Sequence, residues 1–353
     1  MTVMNQRTSS KTPRDHAHPE VRVPLRRREF LQTTGAALVA GAALPAQAST
    51  AVPSTRSNAP QQTNDELELP PGHEPSRVIR CRAEGAFSNA GLRNDVIREA
   101  LEKSLCALLD THEPGGAWRK ILKPGDILGV KLNRSGQTQI GTSDAVTTAL
   151  VKSLESAGWS PQQVVLIEAP QGLAETLGTL PMTEGFERSA TDFGSGQDEL
   201  ALVLRQVSAL INIPYLKTHR IAGLSGCLKN VTYGLIRHPA RFHAANCSPF
   251  PADLYSLPSF RDKCVLHLMD ALRVVFDGGP EVVAGTVHDA GMLLVGRDPV
   301  SVDAAGYMLI NSVRVRERLP ELGPLSSVIP YLADAHRKGL GVAALQGIDL
   351  RDV

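Results

Sequence analysis

The chain contains no C-x-x-C pair. Its five cysteines, Cys81, Cys106, Cys227, Cys247 and Cys264, are odd in number and far apart, so no ferredoxin-type iron–sulfur cluster of its own is expected. Walker A and G-x-G-x-x-G stretches are missing too, which removes the two glycine-rich loops that cradle nucleotide phosphates. Aromatic residues make up only 4%, too few for a stacking platform on single strands or extended glycans. There is no excess of one charge: 37 basic and 36 acidic residues leave a formal +1. That field would not hold a phosphate backbone or an anionic membrane, and nucleic acid is not expected as a partner. The N-terminal apolar run, Thr33 to Leu44, falls short of the ~20 residues a bilayer span needs, so no stable membrane span is expected.

What is present begins with that N-terminus. Arg27 and Arg28 precede Glu29, Phe30 and Leu31; the uncharged run follows, and then Ala46-Gln47-Ala48. This is the pattern of a twin-arginine export signal cut after Ala48, which predicts passage through the twin-arginine export machinery and a periplasmic location. Residues 49–77 are rich in Pro, Ser, Thr, Asn and Gln without periodicity and read as a disordered linker or arm. An oxidising compartment permits a disulfide, with Cys227–Cys247 as the pair to test. The alternative is that the cysteines are small buried hydrophobes.

From residue 78 to 353 the hydrophobic content, 42% for the whole chain, supports one sizeable core. Apolar positions three and four apart predict helices over 94–109 and 143–158, with Asn94 and Ser143 as N-caps and Gly158 as a stop. Short branched runs predict buried strands at 126–133, 163–169, 209–217, 264–271 and 291–298. Strands alternating with helices imply an α/β fold, a mostly parallel sheet with helices on both faces.

These strands end on polar side chains: Lys131 and Asn133, Glu168, Lys217 and His219, Asp270, and Asp298 with Asp303 following. In an open parallel sheet the ligand crevice lies outside the carboxyl ends of the strands, so residues distant in sequence meet at one edge. Lys217 and Lys229 flank a glycine-rich turn, a plausible anion clamp. Lys217, His219, Lys229 and Asn230 are the candidate catalytic residues. Lys131, Asn133 and Glu168 are candidates for binding a cofactor. His219, His238, His243, Asp270 and Asp303 are candidate ligands of a transition metal, and His288 is a further histidine in a turn. Each has a plainer role open to it. Asp298 before Pro299 makes a good N-cap, Asp303 suits a buried carboxylate, Lys131 can snorkel, and His267, inside a strand, suits the core. "GLSGC" at 223–227 has Cys227 where a nucleophile elbow needs glycine.

The stretches "NIPYLKTH", "GCLKNVTYGLI", "MDALRVVFDGGP" and "LLVGRDPVSVDAAGYMLI", in that order, resemble the Domain of Unknown Function 362 family, in its exported twin-arginine branch. "GVKLN" before them and "HRKGLGV" after extend the similarity from about Val78 to the C-terminus. The resemblance implies a single α/β domain and points to Lys217, His219, Lys229, Asn230, Asp270, Asp298 and Asp303 as family polar positions. It implies no activity, and the ferredoxin-type cysteine module of many relatives is missing here. The expectation is an exported enzyme acting on a small anionic molecule at the strand ends, through a metal or through Lys/His acid–base chemistry. The alternative is a periplasmic metal- or ligand-binding protein without turnover.

Overall fold

The computed structural model describes residues 67–69, 74–134 and 141–353. The twin-arginine signal, and the predicted arm apart from 67–69 and 74–77, lie outside the described residues. Nine strands build the main sheet: β1 Ser76–Arg82, β2 Leu128–Leu132, β3 Val164–Ile167, β4 Ala209–Ile213, β5 Tyr215–His219, β6 Gly223–Ser225, β7 Cys264–Val275, β8 Val287–Gly296 and β9 Ile348–Asp352. Their order is β9-β1-β8-β7-β4-β2-β3, and β5 pairs with both β7 and β6. Pairings within β3, β2, β4 and β7 are parallel, as are β7 with β5 and β1 with β9. β8 runs antiparallel to both of its neighbours.

β2, β3 and β4 are buried at every position, as parallel strands covered on both faces must be. Side-chain alternation divides them between two cores. Val164, Leu166, Ile211 and Ile213 face one core with Leu101, Leu105 and Leu150, from helices α1 (Asn94–Leu109) and α2 (Asp144–Ser156). Val165, Ile167 and Leu210 face the other, with Leu228, Ile310 and Leu332. Those three come from α3 (Cys227–Tyr233), α4 (Pro299–Arg316) and α5 (Pro330–Arg337). The fold is therefore α/β, with helices on both faces of a mostly parallel sheet.

Several sequence expectations are refined. The single strand predicted over 209–217 is two, because Pro214 has no N–H for the ladder and β5 leaves the register of β4 to pair with β6. α1 starts as expected, but its N-cap is Arg93 without a side-chain cap bond, and Asn94 is the first helical residue. Ser143 does cap α2, accepting from the Val146 amide. β1 begins at Ser76, and Leu67 packs against the core, so part of the predicted arm lies on the body. Cys227 and Cys247 are buried free thiols, not a disulfide. No helix among the described residues is long and apolar enough to cross a membrane.

Candidate functional site

At the carboxyl edge the strand ends deliver two linked polar clusters. The first centres on Lys131, the fourth residue of β2 and fully buried. Its Nζ lies 2.9 Å from Glu168 Oε2, 3.1 Å from Asn230 Oδ1 and 2.5 Å from the Leu132 carbonyl. Asn230 Oδ1 also accepts from Asn133 Nδ2 at 3.0 Å, and Asn230 Nδ2 donates to Asn212 Oδ1 at 2.7 Å. Asn212 Nδ2 donates to the Cys227 carbonyl at 2.9 Å and lies 3.1 Å from His267 Nδ1. Each buried amide is thus orientated by its neighbours, and Lys131 cannot move without breaking the chain. Glu168 is held at φ 62°, a left-handed conformation that costs a non-glycine residue about 1–2 kcal/mol. Gly234 leaves the room: a Cβ there would meet Lys131 Cε at 2.2 Å.

The second cluster centres on Lys229, in the first turn of α3. Its Nζ lies 3.5 Å from His219 Nε2 and 3.3 Å from His243 Nε2, and 4.8 Å above the Tyr233 ring. Backbone fixes both tautomers. His219 Nδ1 accepts from the amides of Ile221 and Ala222, at 3.2 and 3.1 Å, so its proton sits on Nε2 and points at Lys229. His243 Nδ1 donates to the Pro239 carbonyl at 3.1 Å, which leaves Nε2 as an acceptor. A neutral Lys229 amine fits between them, accepting from one imidazole and donating to the other, whereas an ammonium meets the His219 N–H donor to donor. Burial pulls Lys229 down to about 8, opposed by Cys247 and reinforced by Lys217. Burial and then the Lys229 charge lower His219 to about 3, and they lower His243 as well. After His243, Ala245, Asn246 and Cys247 follow at φ 49°, 54° and 65°. Three successive left-handed non-glycine residues are strained, and such strain collects at functional sites.

Lys217 lies on the same face of β5 as His219, two residues away. It is 6% exposed, and its Nζ makes no hydrogen bond or ion pair among the described residues. Burial lowers its ammonium, with Glu168 and Glu281 opposing.

Lys131, Asn133, Glu168, Asn230, Lys217, His219, Lys229 and His243 are therefore assembled at one edge. The remaining predicted ligands are engaged by other partners and join neither cluster. Asp303, on α4, accepts from the Cys227 and Leu228 amides at 2.5 and 3.0 Å and so caps α3; burial nevertheless raises it to about 7. Gly226 is needed beside it, since a Cβ there would stand 2.0 Å from Asp303 Oδ1. Asp270 accepts from the Ser143 and Leu272 amides, fastening α2 to β7. His288 pairs with Glu317. Asp298 lies at the opposite edge because β8 is antiparallel; there it caps α4. Beside it is a cleft of about 970 Å³ whose Arg77 is already paired with Asp110. His238 joins Asp198, with Nδ1 3.0 Å from Oδ1. Asp198, Glu199 and His238 are the only group among the described residues whose ligand atoms gather as a metal requires, and they share only His238 with the expected set.

His267 is a core histidine, as its strand position implies, but its Nε2 is buried without a partner among the described residues. Asn212 was missed altogether. The signal for it was an amide inside the apolar run "ALINI", where burial demands partners.

The family model described as Domain of unknown function (DUF362) matches residues 129–308, a span that contains every member of both clusters. No curated protein matches the chain.

Proposed function

Since the chain belongs to the DUF362 family, which carries no assigned reaction, we propose its function from the site: an exported enzyme that moves a proton on a small anionic substrate. Lys229 is the acid–base group, His219 and His243 set its protonation, and Lys217 attracts the substrate's charge. The observation that carries this reading is the place of Lys229 Nζ between two imidazole nitrogens of opposite hydrogen-bonding role. With its midpoint brought down to about 8, the amine keeps a minor neutral fraction at pH 7 that can take up a proton, as surface lysines do not. The amine also favours acid–base chemistry over a metal at His219 and His243, because an ion bound by both Nε2 atoms would have to displace it. Export through the twin-arginine route to the periplasm is part of the proposal and rests on the Arg27-Arg28 signal and Ala46-Gln47-Ala48.

The test is proton exchange at carbon, followed by NMR in D2O, across a panel of small carboxylic and phosphorylated acids. Wild type should wash deuterium into at least one of them, and Lys229→Met should slow that exchange at least ~100-fold. Undiminished exchange in the variant would overturn the reading. A ligand recovered unchanged from the purified protein, with no exchange anywhere in the panel, would favour the binding protein without turnover.

A further inference from the structure

We infer that Ser225 is a substrate-contacting residue, its hydroxyl joining Lys217 Nζ to hold a carboxylate of the substrate. This rests on the proposed function and adds to it a residue and a ligand class.

Ser225 ends β6, directly opposite Lys217 in the antiparallel β5–β6 pair, and Gly223 faces His219 in the same ladder. Directly opposed residues project to the same face with Cβ atoms about 5 Å apart. Ser225, Lys217 and His219 therefore share a face, and Lys229 meets it through His219. Ser225 is 5% exposed, yet its Oγ makes no hydrogen bond among the described residues, and neither does Lys217 Nζ. These two cross-strand neighbours, each more than nine-tenths buried and without partners among the described residues, are left for water or a ligand to satisfy. Among the described residues, the unpartnered side-chain atoms wholly shut away are Arg134 Nε, Trp159 Nε1 and His267 Nε2. Lys217 Nζ and Ser225 Oγ are not among these, so both retain access from outside.

Nearby carboxylates do not fill the role. Glu168 is engaged by Lys131 and by the Arg134 amide, Glu281 by Arg220 at 2.6 and 3.1 Å, and Asp303 by the α3 amides. The Lys217 ammonium and the Ser225 hydroxyl are two donor groups on one face, one for each oxygen of a carboxylate; a phosphate would bring more oxygens than there are donor groups. With the carboxylate there, the neighbouring carbon comes within the region served by Lys229.

The test is calorimetric titration of the purified chain at pH 7 with malonate and, separately, inorganic phosphate, alongside NMR titration of Lys229. Malonate should bind more tightly than phosphate. Ser225→Ala should weaken it about 10-fold, Ser225→Thr should restore most of the loss, and Lys217→Met should abolish binding. Circular dichroism confirms that each variant is folded. The inference is overturned by absence of malonate binding at tens of millimolar, by equal affinity in wild type and Ser225→Ala, or by phosphate binding more tightly than malonate. If Lys229 titrates near 8 in those samples, such a failure belongs to the carboxylate subsite alone. If it titrates near 10.5, the acid–base reading beneath it fails.

Discussion

Replacing Lys229 with methionine is expected to stabilise the protein by roughly 2 kcal/mol at pH 7, even as it removes the acid–base group. In the unfolded chain this lysine titrates at 10.5, and in the fold at about 8. That difference corresponds to ~3 kcal/mol by which the fold disfavours the ammonium; the contact with the Tyr233 ring offsets ~1 kcal/mol. Between these two pH values the unfolded state holds more protons. Wild-type stability therefore rises as pH climbs from about 8 to 10.5 and is lowest, with respect to this group, below 8. Lys131 and Lys217 are displaced in the same direction and add to the rise. Urea unfolding from pH 7 to pH 10 should show a slope in wild type that is shallower by about one proton in Lys229→Met. A variant less stable than wild type at pH 7 would mean that Lys229 is a structural cation.

Glu168→Ala should destabilise by about 3–5 kcal/mol, the usual cost of stranding one half of a buried ion pair. Lys131 is fully buried and lies 2.9 Å from that carboxylate. Its other partners, the Asn230 and Leu132 oxygens, are neutral. Glu168→Gly should lose about 1 kcal/mol less than Glu168→Ala, because glycine adopts φ 62° without the penalty of a Cβ. Equal losses in the two variants, measured by denaturant midpoints, would show that the backbone at 168 is unstrained. Pairing Glu168→Ala with Lys131→Met should recover part of the loss, since the stranded charge is then gone.

Much of this site is legible in the sequence. Lys131, Glu168, Lys217 and His219 stand at the ends of apolar runs, and parallel-sheet geometry alone sends such residues to one edge. The exception is Asp298, whose strand runs the other way. Apolar runs carry no sign of direction, because β8 is as apolar as β7. Histidine spacing misled in a different manner. His238 and His243 are five residues apart, and the 3₁₀ turn Pro239–Phe242 between them sends His243 to Lys229 and His238 to Asp198. The tautomer logic at His219 was invisible, since it depends on two amides of the turn that follows. Asp270 and Asp303 look like ligands in the sequence because buried carboxylates need partners; the partners are backbone amides, those of Ser143 and Leu272 for Asp270 and of the start of α3 for Asp303, which sequence does not locate.

The measurement that bears most directly on the account is the pKa of Lys229, followed by NMR of side-chain-labelled lysine with Lys229→Arg to assign the signal. A midpoint near 8 is the result expected of a buried amine set between His219 and His243. A midpoint near 10.5 would contradict it, leaving Lys229 a permanent cation and the site without its base.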